Sequence, residues 1–195
     1  MPNTKIDRSL IRTNCRVISS PLEPIYANLA SVDPQSPIVV ENLGAAYCKL
    51  GQRFNINTGA QNIENNSYLV VQITIPANWG KTLYFDKIQA GTSGTSVVDI
   101  IAASATTTDV ITPVNTNLGS ANTTLLTAGY AVTDTNPATN NPLLTFILVN
   151  GTYESNFEGE IIIPSTTAVQ NYIIRVSNTG TENATCMATF SWWEV

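Results

Sequence analysis

The chain has 195 residues, 9 basic against 14 acidic, for a formal charge of −5; that balance argues against a nucleic-acid-binding body, which needs a basic face to neutralise phosphates. It contains no histidine, which removes Ser-His-Asp and Cys-His nucleophile systems, His-ligated metals and the commonest general base. Only 12% of residues are charged, while Thr, Asn and Ser make up roughly three in ten, a hydroxyl- and amide-solvated surface that suits a packed assembly.

The opening residues Met1 to Arg8 show no apolar stretch behind a basic one, so no ordinary secretory signal is read. No apolar run approaches the ~20 residues of a membrane-spanning helix, and no membrane partner is expected. Residues 1–45 carry Pro2, Pro21, Pro24, Pro34 and Pro37, which break regular elements. Apolar residues nevertheless recur there, among them Ile18, Leu22, Ile25, Tyr26, Val39 and Val40, so the segment reads as an extended arm lying in a groove. Lys5, Arg8, Arg12 and Arg16 against Asp7 give the first 16 residues about +3 and leave about −8 for the rest. A basic arm and an acidic body attract, either within one chain or head to tail between chains. Arg8, Arg12 and Arg16 are therefore candidate assembly residues, and their spacing would align them on one stripe of a helix.

Residues 46–195 alternate β-type runs with turn clusters, with no sustained helical period. A first strand is predicted over 47–56. Over 67–75, Leu69, Val71, Ile73 and Ile75 form one apolar face of a half-buried strand. Strands over 82–89 and 96–103 flank Gly91-Thr92-Ser93-Gly94 and read as a hairpin. Further strands are predicted over 110–114 and 123–132. The run 142–149 meets Asn150-Gly151, the strongest two-residue hairpin signal in the chain. Strands over 158–163, 169–178 and 184–194 complete about ten. The expected fold is all-β: an antiparallel two-sheet β-sandwich, jelly-roll-like, over 46–195, preceded by the arm of 1–45.

No constellation for chemistry stands out. Asp86, Asp99, Asp109, Asp134, Glu154, Glu158 and Glu160 scatter over separate strands and loops, so no catalytic carboxylate pair is assigned and the protein is read as a non-enzyme. Asp134-Thr135-Asn136 with Asn140 and Asn141 is oxygen-rich, but a twelve-position calcium loop ending in Glu is absent and turn chemistry explains the residues; no metal or cofactor is assigned. Cys15, Cys48 and Cys186 lie far apart without a C-x-x-C pair. They are either buried small hydrophobes or, for one of them, a bridge to a neighbouring subunit, with Cys15 on the arm the candidate.

Two tryptophans carry interaction readings. Alternation puts Trp192 on the inward face with Cys186, Ala188 and Phe190, and Trp193 on the opposite face, where exposure would make it a subunit contact. Trp79, within Pro76-Ala77-Asn78-Trp79-Gly80, is placed on a turn tip and is the candidate ligand contact, for example a stacking surface for a glycan.

The succession Leu83-Tyr84-Phe85-Asp86-Lys87-Ile88, Thr112-Pro113-Val114-Asn115-Thr116-Asn117-Leu118-Gly119-Ser120, Glu158-Gly159-Glu160-Ile161-Ile162-Ile163-Pro164, Tyr172-Ile173-Ile174-Arg175-Val176-Ser177-Asn178 and Ser191-Trp192-Trp193-Glu194 resembles tailed-bacteriophage virion proteins of the β-sandwich type. Those are capsid decoration, head-fibre or minor structural proteins, and the resemblance covers roughly residues 65–195. It implies a structural role, synthesis in the host cytoplasm, release by lysis and residence on the virion, with copies of itself and a major capsid or tail protein as partners. A second, weaker similarity is to subunits of bacterial endospore appendage filaments, jelly rolls whose N-terminal connector crosslinks through cysteine to strands of neighbouring subunits. Cys15 on the arm, Cys48 on the first predicted strand and Cys186 on the last match that placement, although the paired cysteines of such connectors are missing and this body is longer. The expected function is a non-enzymatic virion structural protein that self-associates and docks on the particle. The alternatives are a self-polymerising surface or spore appendage filament and a carbohydrate-binding module.

Overall fold

The computed structural model describes residues 43–195. They begin with a short helix, α1 (Leu43–Lys49), where a strand was expected from residue 47. Ala45 and Ala46 favour the helix, and Gly51 ends it at φ +68°, a conformation that glycine adopts without strain. The Gly51 amide then donates to the Cys48 carbonyl at 2.9 Å and the Gln52 amide to that of Tyr47 at 2.9 Å. A side chain at Gly51 would also collide with Ser120.

Eleven strands follow: β1 (Arg53–Asn57), β2 (Gln61–Ile63), β3 (Tyr68–Ile75), β4 (Thr82–Ile101), β5 (Asp109–Ile111), β6 (Val114–Asn115), β7 (Thr127–Thr133), β8 (Leu144–Asn156), β9 (Ile162–Pro164), β10 (Gln170–Asn178) and β11 (Ala184–Glu194). The class is all-β and the pairings are antiparallel, as expected. Hydrogen bonding, however, joins the strands in one curled sheet in the order β5-β7-β3-β10-β4-β11-β1-β6, with β2 on β11 and with β8 and β9 on β4.

The reason lies in β4, which is 20 residues long. Its first part, Leu83 to Thr92, pairs with β11, and its last part, Ser96 to Ile101, pairs with β10. β8 follows it round the bend, with Gly151 to Asn156 on Lys87 to Thr92 and Leu144 to Val149 on Thr95 to Ile100. The register shifts between Thr92 and Thr95, so Ser93 and Gly94 face the single residue Asn150, which sits at φ +42°. The two sequences read as hairpin turns therefore lie opposite one another and form a shared bulge and bend, through which both strands continue. Thr92 stabilises it from within, accepting from the Gly94 amide at 3.1 Å and meeting the Ser96 hydroxyl at 2.9 Å.

The core fills the inside of the curl. Leu69, Val71, Ile73 and Ile75 of β3 are buried on one face, as the alternation predicted. Phe85 of β4 meets Phe190 of β11 at 4.7 Å between ring centroids and Tyr172 of β10 at 6.1 Å, which joins residues of β10 and β11, both paired with β4, in one apolar cluster. A smaller cluster of Val70, Ile101, Ala138 and Ile173 lies on the other face. The cross-strand pair Arg175 and Asp99 borders it at 2.7 Å, and Arg175 also donates to the Ala138 carbonyl at 2.7 Å, holding the 136–138 loop down. Asn136 of the oxygen-rich loop is engaged there too, accepting from Arg175 and from the Ala138 amide.

Candidate interaction edge

Arg8, Arg12, Arg16 and Cys15 lie outside the described residues. Trp193 is on the face opposite Trp192, but it is only 1% exposed, which corrects the expectation of an exposed contact. Tyr47 of α1 stacks on it at 5.4 Å and 11°, and Tyr84 of β4 at 5.9 Å and 10°. The turn at 157–160 closes over it, with Gly159 at φ +85° and so near that a Cβ would stand 2.6 Å from the indole. Trp79 sits on its predicted turn, formed by Asn78 at φ +54° and Gly80 at φ +80°. Its ring is nevertheless buried at 8% exposure. The turn is tied to the 165–166 segment by the Asn78 amide on the Thr166 carbonyl at 2.7 Å and the Gly80 amide on the Ser165 hydroxyl at 3.1 Å. The open stacking surface expected of Trp79 is therefore absent. Cys186 is fully buried beside Thr92 and Ser96, and Cys48 is half-buried, its sulfur 3.3 Å from the Thr116 hydroxyl.

The buried charges among the described residues are built into the fold. Glu194 has no exposed side-chain surface; it accepts from Lys81 at 3.0 Å, from the Trp192 indole at 3.1 Å and from Thr124. Asp86 accepts from Arg53, whose Nε lies at 2.9 Å. Protein donors satisfy both carboxylates: Asp86 joins β4 to β1, and Glu194 ties the end of β11 to Lys81 and to Thr124. Among the described residues no group of three or more Cys, Asp or Glu side chains stands close enough to hold a metal ion. No helix there is long and apolar enough to cross a membrane.

What the structure does present is an open edge. β8 is 13 residues long and, among the described residues, its strand partner is β4 alone. Its inward residues Leu144, Phe146 and Leu148 are half-buried or buried, whereas Ile147 and Val149 are 70% and 72% exposed and Leu143, just before it, 57%. Proteins blunt free edges with short strands, lysines or prolines, because unpaired N–H and C=O groups template further pairing. The other peripheral strands obey this rule: β2, β5 and β9 have three residues each and β6 has two. From Leu144 to Val149, β8 has neither a charge nor a proline. Charge returns only at Glu154, whose carboxyl is held below the usual carboxylate range by hydrogen bonds from Lys87, at 3.1 Å, and from Gln89.

No family model, curated protein or solved structure matches the chain. In sequence the strand was legible over 142–149 but was expected to end in a hairpin at Asn150-Gly151; its position at the edge, with 143–149 covered on one face and open on the other, follows only from the pairing.

Proposed function

We propose that the protein is a non-enzymatic structural subunit that works by self-association, of the kind its resemblance to bacteriophage virion β-proteins implies, docking on a capsid or tail as well as on its own copies. The observation that carries the self-association is the long unguarded edge of β8 with Ile147 and Val149 exposed beside it. Support also comes from the carboxylates of the sheet, which are spent on ion pairs and hydrogen bonds within the fold. The virion assignment itself rests on the sequence resemblance.

The test is size-exclusion chromatography with light scattering on the full chain, with and without reductant, over a range of concentrations. A small closed oligomer indifferent to reductant is the expected result. Open-ended polymers that shorten on reduction would replace it with the filament-subunit reading and implicate Cys15. A monomer at every concentration would overturn self-association.

A further inference from the structure

We infer that the edge of β8 is the site where a second copy of this chain adds, strand to strand and antiparallel, about a two-fold axis at Ile147. The inference rests on the self-association reading and gives it a place and a register. A two-fold axis makes a contact between like surfaces, so the edge must be complementary to itself. The stretch Leu144 to Asn150 meets that demand. Centred on Ile147, it sets Ile147 against Ile147 of the partner subunit, Thr145 against Val149 and Phe146 against Leu148. Exposed apolar side chains then cover each other on the outer face while the inward residues extend the core face.

Charge permits a second copy along this edge. Each chain carries −5. Glu64, Asp109, Asp134, Glu158, Glu160 and Glu182 have no cation partner in the ion pairs of the described residues. Residues 144–153 contain no charge, so two such molecules paired there set no like charges opposite one another. The bend at Asn150 then sets the length of the pairing, because the strand turns away from a straight partner where φ becomes positive.

Three variants of the full chain at position 147 test the register. Ile147→Lys places like charges directly opposite across the axis and is expected to weaken self-association about tenfold or more; the side chain is exposed in the single chain, so circular dichroism of the variant stays as in the parent, and so does melting at dilutions where the parent too is dissociated. Ile147→Glu behaves alike, and mixing the two restores a heterodimer, because the residue at 147 meets itself. Ile147→Cys, under mild oxidation, forms a dimer bridged between the two introduced thiols, since directly paired strand residues have Cα atoms about 4.5–5.5 Å apart, within disulfide reach. Thr152→Cys, beyond the bend, does not. Self-association left at parental strength by both charge variants would overturn the edge while leaving self-association standing. A bridge from the thiol introduced by Ile147→Cys to native Cys15 would also overturn it, in favour of the N-terminal segment of a neighbour as occupant. A parent chain monomeric at all concentrations would remove the edge and the reading beneath it together.

Discussion

Gly159 shows how much depends on single positions. It holds φ +85° with its Cα against Trp193, so Gly159→Ala adds both a strained backbone and a methyl 2.6 Å from the ring. The expected cost is about 1–3 kcal/mol, seen as a fall of about 3–10 °C in Tm. The same stack predicts alkaline behaviour. Burial, and then the neighbouring Tyr84, push the Tyr47 phenol above its ordinary 10.0, and burial does the same for Tyr172. A group raised on folding contributes stability that is complete below its unfolded value and is lost as pH climbs through its folded one. Stability should therefore begin to fall above pH 10.0, and tyrosinate absorbance should show the Tyr47 and Tyr172 phenols ionising late or together with unfolding. Denaturant midpoints and absorbance recorded across that range check both. Trp193 also marks where residue-level reading stops. Alternation correctly gave its face, but the covering comes from α1 and from the 157–160 turn, which are remote in sequence.

At the level of elements, the strand patterns that alternate were readable and those with turn signals inside them were not. Over 67–75 the apolar face of β3 follows the period of two and is buried where expected. Gly91 to Gly94 and Asn150-Gly151 carry the chemistry of reverse turns, yet positive φ and missing Cβ atoms serve a bulge equally well, and only pairing between the two segments decides. Asn150 separates the roles of conformation and contact. Asn150→Val puts a β-branched residue at φ +42° and should cost about 1–3 kcal/mol, whereas Asn150→Gly should leave stability unchanged or raised. Urea midpoints of the two variants make the comparison; equal midpoints would mean that the backbone strain at the bend is not what Asn150 relieves.

For the whole molecule, charge is segregated: about +3 in the first 16 residues against about −8 in the remainder. If the arm's arginines steer assembly, replacing Arg8, Arg12 and Arg16 together with serine weakens it at low salt and flattens its dependence on ionic strength. Association followed by light scattering from low to high salt tests this; parent and variant curves that coincide at every salt concentration would discard the electrostatic contribution. The all-β class was legible in strand spacing and the absence of a helical period. The single curled sheet was not, because it depends on β4 being long enough to pair with β11 along its first part and with β10 along its last.

The position of β4 has a consequence for the order in which the molecule can be made. β8, β9, β10 and β11 all pair with it, and all follow it in the chain. β4 ends at Ile101, and the first of its partners begins at Leu144. While the nascent chain lengthens, the longest strand of the protein therefore leaves the ribosome with both of its edges bare, carrying Leu83, Phe85, Ile88, Val98 and Ile100 with nothing to cover them. Pairings this distant form slowly, since loop closure must come first, and an uncovered apolar strand is open to wrong partners meanwhile. Yield in a cell should thus depend on how quickly residues 144–194 follow, and slowing translation after residue 101 should turn soluble product into aggregate.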